Sequence, residues 1–88
     1  MRHLESEVAK RLRAVKKVFT QCSSNPKMAD TCGSTSSCVN NWLIGDNLPR
    51  VSEMIRLCDA TGLTLDWIYR GDARTIDPVL AAQLSDRM

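Results

Sequence analysis

The apolar residues Leu4, Val8, Leu12, Val15 and Phe19 recur every three to four positions, the period of one face of an α-helix. Ala14 and Val18 widen the stripe, while Lys10, Arg11, Arg13, Lys16 and Lys17 fall largely off it. The spacing predicts a first helix over residues 4–19. The polar run 20–23 interrupts the pattern. Ser24 follows as an N-cap, since its hydroxyl can accept from a first-turn N–H that has no helical partner. Pro26 lies in that first turn, where its missing N–H costs little. A short second helix over 25–32 turns Met28, Ala29 and Cys32 inward. Gly33 stands where the chain must turn sharply.

Thr35 caps a third helix over 36–44. Val39, Trp42 and Leu43 form its apolar side, and Ser36, Ser37, Asn40 and Asn41 its polar side. The Gly45-Asp46-Asn47 run signals a loop. A fourth helix, from 49 or 50 to 60, has Val51, Met54, Ile55 and Cys58 at core spacing, with Leu57 flanking them. Gly62 closes it. Thr64 caps a fifth helix built on Leu65, Trp67 and Ile68, and Gly71 stops it. Asp77 and Pro78 read as N-cap and first helical position of a last helix over 79–85. No alternating strand pattern, internal repeat or low-complexity tract interrupts this series, and 72–76 is the one linker. The expected class is all-α. The expected organisation is one helical unit over 1–72 and a C-terminal extension over 73–88. A helix as short as the last one is marginal alone in water, so it packs either on its own domain or on a partner, as a dimerisation helix.

Eighty-eight residues, 43% of them hydrophobic, suffice for one small domain. With 5% aromatic residues the core is mainly aliphatic. Trp42 and Trp67 lie on apolar faces, which favours packing over stacking on bases. The net charge of +2 is small, but the cations gather in the first helix and the 24–41 segment is almost uncharged. A basic helix beside an uncharged polar one fits a division between phosphate and base contacts; a solvated helix face gives the same local pattern.

The four cysteines form no C-x-x-C pair, and the one histidine, His3, is remote from them; zinc ligands cluster more closely. No signal peptide or membrane-spanning apolar run is present, so the expected location is cytoplasmic, with no membrane partner and reduced thiols. Cys32 and Cys58 fit small buried hydrophobes, and Cys22 and Cys38 are the candidates for a redox-sensitive thiol. Glu53, Asp59 and Asp66 form no acid–base pair. Ser24, Ser34 and Ser52 have no histidine nearby. The expectation is a non-enzyme without cofactor, metal or small-molecule ligand.

Ala29, Gly33, Val39 and Trp42 share a physical rationale. Two helices crossing near a right angle need a small side chain at closest approach, a residue free to turn between them, and apolar residues on the second helix facing the first. The second helix then offers short hydrogen-bonding side chains suited to a DNA major groove. With the RLRAVKK opening helix, the Gly45-Asp46-Asn47-Leu48-Pro49 loop and the closing TGLTLDWIYRGD string, this arrangement resembles the Xre-type helix-turn-helix domains, the Cro and phage-repressor-like family. The resemblance covers 10–72.

It implies a five-helix lambda-repressor-like domain, here with a short extra C-terminal helix, that binds double-stranded operator DNA as a homodimer. By the same resemblance Ser36, Ser37, Asn40 and Asn41 hold the base-reading positions. Asparagine can pair bidentately with adenine, which puts Asn41 first among them. Lys16 and Asn25 match phosphate-contacting positions, and Lys27, Asn47 and Arg50 are further backbone candidates. Tyr69 and Arg70 fit either a dimer interface or plain surface. The chain departs from the family pattern in three ways. Its first inter-helix connection is slightly longer, and its recognition helix lacks Arg and Gln. Leu43 stands where a glutamate often pairs with a first-helix arginine, at the position Lys16 holds here, so that polar link is lost or replaced. The expected function is a transcription regulator, a phage-type or bacterial repressor. The alternative is a protein-interaction module, such as an antitoxin, antirepressor or co-regulator, for which an uncharged third helix also suits.

Overall fold

The computed structural model describes residues 3–88. The first two residues of the 1–72 unit, and the side chain of His3, lie outside the described residues. Six α-helices follow in order: α1 (His3–Val18), α2 (Asn25–Cys32), α3 (Ser36–Leu43), α4 (Val51–Thr61), α5 (Leu65–Arg70) and α6 (Pro78–Asp86). Single 3-10 turns at Thr20–Cys22 and Ala73–Thr75 join α1 to α2 and α5 to α6. No strand occurs among the described residues. None of their helices is long and apolar enough to cross a membrane.

Local chemistry sets the helix starts. Ser24 accepts from the Lys27 N–H at 3.3 Å, Thr35 from Cys38 at 3.2 Å, Thr64 from Trp67 at 3.1 Å and Asp77 from Leu80 at 3.1 Å. Each bond satisfies one of the N–H groups a helix leaves open at its beginning. At α4 the Glu53 carboxylate reaches back to the Arg50 N–H at 3.0 Å.

The core is one cluster. Val8, Leu12 and Val15 of α1 meet Met28, Ala29 and Cys32 of α2, Val39, Trp42 and Leu43 of α3, Met54 and Leu57 of α4, and Trp67 and Ile68 of α5. Helix α1 packs against α3, α5 and α6, while α2 packs against α3 and α4. Two α1 arginines close the C-terminal ends of other helices. Arg11 Nη1 donates to the Ile68 carbonyl of α5 at 3.0 Å, and Arg13 Nη1 donates to the Leu43 carbonyl of α3. A cation placed on carbonyls left open at a helix end is favoured by both hydrogen bonding and the helix dipole.

Several sequence expectations need correction. Leu57 is fully buried, whereas Val51 and Ile55 are 55% and 45% exposed. The apolar stripe of α4 is wider than the face that α2 and α5 cover, and those neighbours sit on the Met54–Leu57 side. Cys58 is only half-buried. Leu4 is exposed, because the core of α1 begins one turn later at Val8. The 72–76 segment is an ordered turn: Asp72 accepts from the Arg74 N–H and guanidinium, and Thr75 hydrogen-bonds to Thr64. Helix α6, for which the sequence left its own domain and a partner both open, packs on α1, and Leu84 and Ile76 belong to the same core cluster as the other helices.

Candidate nucleic-acid interface

Helices α2 and α3 meet at Gly33, whose φ of 70° is a left-handed conformation that side-chain-bearing residues rarely adopt. Just beyond it the Ser34 N–H returns to the Ala29 carbonyl at 2.8 Å, and Ala29 itself is 4% exposed. A larger side chain at Ala29 would have to displace the core packed around it. The chain can therefore start α3 within a few residues of the end of α2, with Thr35 as its cap.

Helix α3 is anchored on one side only. Val39, Trp42 and Leu43 are buried, while Ser36, Ser37 and Asn40 are exposed and Asn41 is half-buried. Successive residues lie about 100° apart around a helix, so Asn40 and Asn41 open onto opposite flanks.

Asn40 lines a cleft of about 560 Å³ with Arg13, Lys16, Lys17, Ser23, Asn25, Leu43 and Ile44. Three cations and no carboxylate line this cleft, beside the apolar Leu43 and Ile44. Lys16 Nζ donates to Asn25 Oδ1 at 2.8 Å, so the end of α1 and the start of α2 present these two side chains together. Lys27 stands exposed nearby, its ammonium 3.4 Å from the Ser23 hydroxyl. Arg13 is committed to the Leu43 carbonyl. That bond supplies a polar link between α1 and α3 where Leu43 itself can offer none through its side chain.

Asn41 lines the opposite cleft, of about 550 Å³, with Cys38, Asn47, Leu48, Arg50 and Glu53 among its walls. Asn47 and Arg50 are exposed there. The Asn41 carbonyl accepts from the N–H groups of Asp46 and Asn47 at 2.9 and 3.3 Å, which ties the loop to the end of α3. The structure thus gathers the sequence-predicted residues around α3: Lys16, Asn25 and Lys27 on the side of Asn40, and Asn47 and Arg50 on the side of Asn41.

Neither Tyr69 nor Arg70 lines either cleft. The Tyr69 hydroxyl donates to the Pro49 carbonyl at 2.9 Å, a link within the chain, and Arg70 is exposed, 4.0 Å from Asp66.

The sequence reading overlooked one residue on this face. Ile44 is 64% exposed, although an apolar residue closing a helix reads as core. Its place four residues after Asn40 puts it on the outer side, a position that projection around the helix axis would have found. Cys38 is exposed beside Asn41. Hydrogen bonds from the Thr35 and Ser34 side chains hold its thiol below the usual pKa. Cys22 is buried, and burial pushes its thiol up. Burial pushes the Cys32 thiol up to about 12. Of the two thiols singled out as redox candidates, Cys22 is therefore shielded in the core and Cys38 is open to solvent.

No group of three or more His, Cys, Asp or Glu side chains suited to a metal ion occurs among the described residues. Comparison with family models, with curated proteins and with solved structures finds no match to this chain.

Proposed function

We propose that this chain is a sequence-specific DNA-binding transcription regulator of the helix-turn-helix kind, with a lambda-repressor-like arrangement of its first five helices. In this role it is a phage-type or bacterial repressor acting as a homodimer in the cytoplasm, without catalysis, cofactor or metal. The carrying observation is the outward polar face of α3, bordered on its Asn40 side by a cleft lined with cations and no carboxylate.

A B-DNA major groove is wide enough to admit one α-helix, and α3 with its eight residues is about 12 Å long. Laid into the groove, α3 presents Ser36, Ser37, Asn40 and Asn41 to base edges. Lys16, Asn25 and Lys27 then meet the phosphates of one strand, and Asn47 and Arg50 those of the other. Phosphate contacts fix register and supply salt-dependent affinity, while the base edges supply selection. With neither Arg nor Gln on α3, a larger share of that selection falls to DNA shape and deformability.

Selection of bound sequences from random DNA, with mass measurement of the free and bound protein, tests the proposal. The expected result is a palindrome whose half-sites lie about 34 Å apart, bound by two chains. Recovery of no preferred sequence overturns it.

One observation favours a second function, that of a protein-interaction module. Val51 and Ile55, one helical turn apart on α4, are both exposed apolar residues, and neither lines the cationic cleft. A gel shift on the DNA upstream of the chain's own coding sequence separates the two, since an autoregulator binds there and a pure interaction module does not.

A further inference from the structure

We propose that Ile44 is a specificity residue that recognises the C5 methyl group of a thymine, an inference that rests on the DNA-binding function proposed above. Ile44 caps α3 in helical conformation (φ −92°, ψ 0°), and its N–H donates to the Asn40 carbonyl at 3.1 Å. Side chains on a helix lean toward its N-terminus, so the Ile44 hydrocarbon lies back over the turn that carries Asn40. Both residues line the same cleft. The end of α3 is held in place by the bond from Arg13 to the Leu43 carbonyl. The exposed isoleucine is thus presented from a fixed point.

The surroundings decide what meets it. An exposed apolar side chain ordinarily suits an apolar protein surface. Here its neighbours in the cleft are one apolar residue, Leu43, with three cations and three polar side chains, Asn25 and Asn40 among them, a set without a carboxylate that suits a polyanion with hydrogen-bonding groups. In the major groove of DNA the apolar group is the thymine methyl, which no other unmodified base carries. Ile44 therefore reads a position that neither the serines nor the asparagines of α3 distinguish by hydrogen bonding.

The experiment uses the full chain and a DNA site selected from a random pool. Each thymine in turn is replaced by deoxyuridine, which removes only the methyl group. Binding by the unaltered protein is expected to weaken about fourfold at one position of each half-site, the worth of one buried methyl-sized group. Ile44→Ala is expected to abolish that uracil penalty while leaving the penalties for changing other bases in place. The melting temperature of the variant serves as a check on its fold. A selected site without an invariant thymine overturns the assignment. So does indifference of the unaltered protein to every uracil, a result that needs no variant. A uracil penalty that persists undiminished in Ile44→Ala overturns it as well. These results leave DNA binding itself standing, whereas failure to select any DNA removes the proposed function and this inference with it.

Discussion

In the proposed function Asn41 and Lys16 divide recognition in a way that substitution can expose. In the proposed complex Asn41→Ala removes a base contact, so the free-energy gap between the selected site and random DNA should narrow by about 1–3 kcal/mol. Lys16→Ala removes a phosphate contact, so both affinities should fall by the same factor and the gap should stay. Competition binding against the two DNAs at fixed salt measures each effect. Lys16 is hydrogen-bonded to Asn25, so its loss also releases the asparagine, and the two residues should not behave additively. The polar residues of α3 were legible in the sequence because the turn at Gly33 and the buried Val39 and Trp42 fix the helix's inner side. Ile44 was not, since hydrophobicity alone assigns an isoleucine to the core and only the placement of α1 shows that this one has no cover. The cysteines follow the same logic: Cys22 and Cys38 look alike in the sequence, and only their neighbours separate a shielded thiol from an open one.

At the scale of the element, α4 carries the clearest lesson. Its helical period was legible, but its rotation about its own axis was not. Val51, Met54, Ile55, Leu57 and Cys58 offer more apolar surface than one face can bury. Two facing helices, α2 and α5, choose the part that is covered. The consequence is measurable. Leu57→Ala should destabilise the fold by about 2–5 kcal/mol, the range for removing a fully buried leucine side chain. Ile55→Ala should change stability by no more than about 0.5 kcal/mol, as surface substitutions usually do. Denaturant unfolding of the two variants checks the rotation of α4, and equal losses would refute it. The caps at Ser24, Thr35, Thr64 and Asp77, by contrast, were readable from local chemistry alone, because the group that satisfies each helix start lies within three residues of the donor.

For the whole molecule, the C-terminal segment belongs to the same packed body as the helices before it. Leu84 is fully buried on α6 and Ile76 nearly so. Leu84→Ala should therefore lower stability by about 2–5 kcal/mol in dilute solution, where any dimer has dissociated. A loss that appears only at protein concentrations where dimers form would instead assign α6 to the partner. Sequence periodicity could not decide between these two, since a short amphipathic helix looks the same whichever surface it covers; the packing of α6 on α1 is a tertiary outcome.

The guanidinium groups of Arg11 and Arg13 leave the same helix two residues apart and grip the far ends of α5 and α3. Neither end can fray without loosening a side chain rooted in that shared support. A disturbance at the end of α5 is thereby felt at the end of α3, and the chain should melt as one piece rather than shed α3 first.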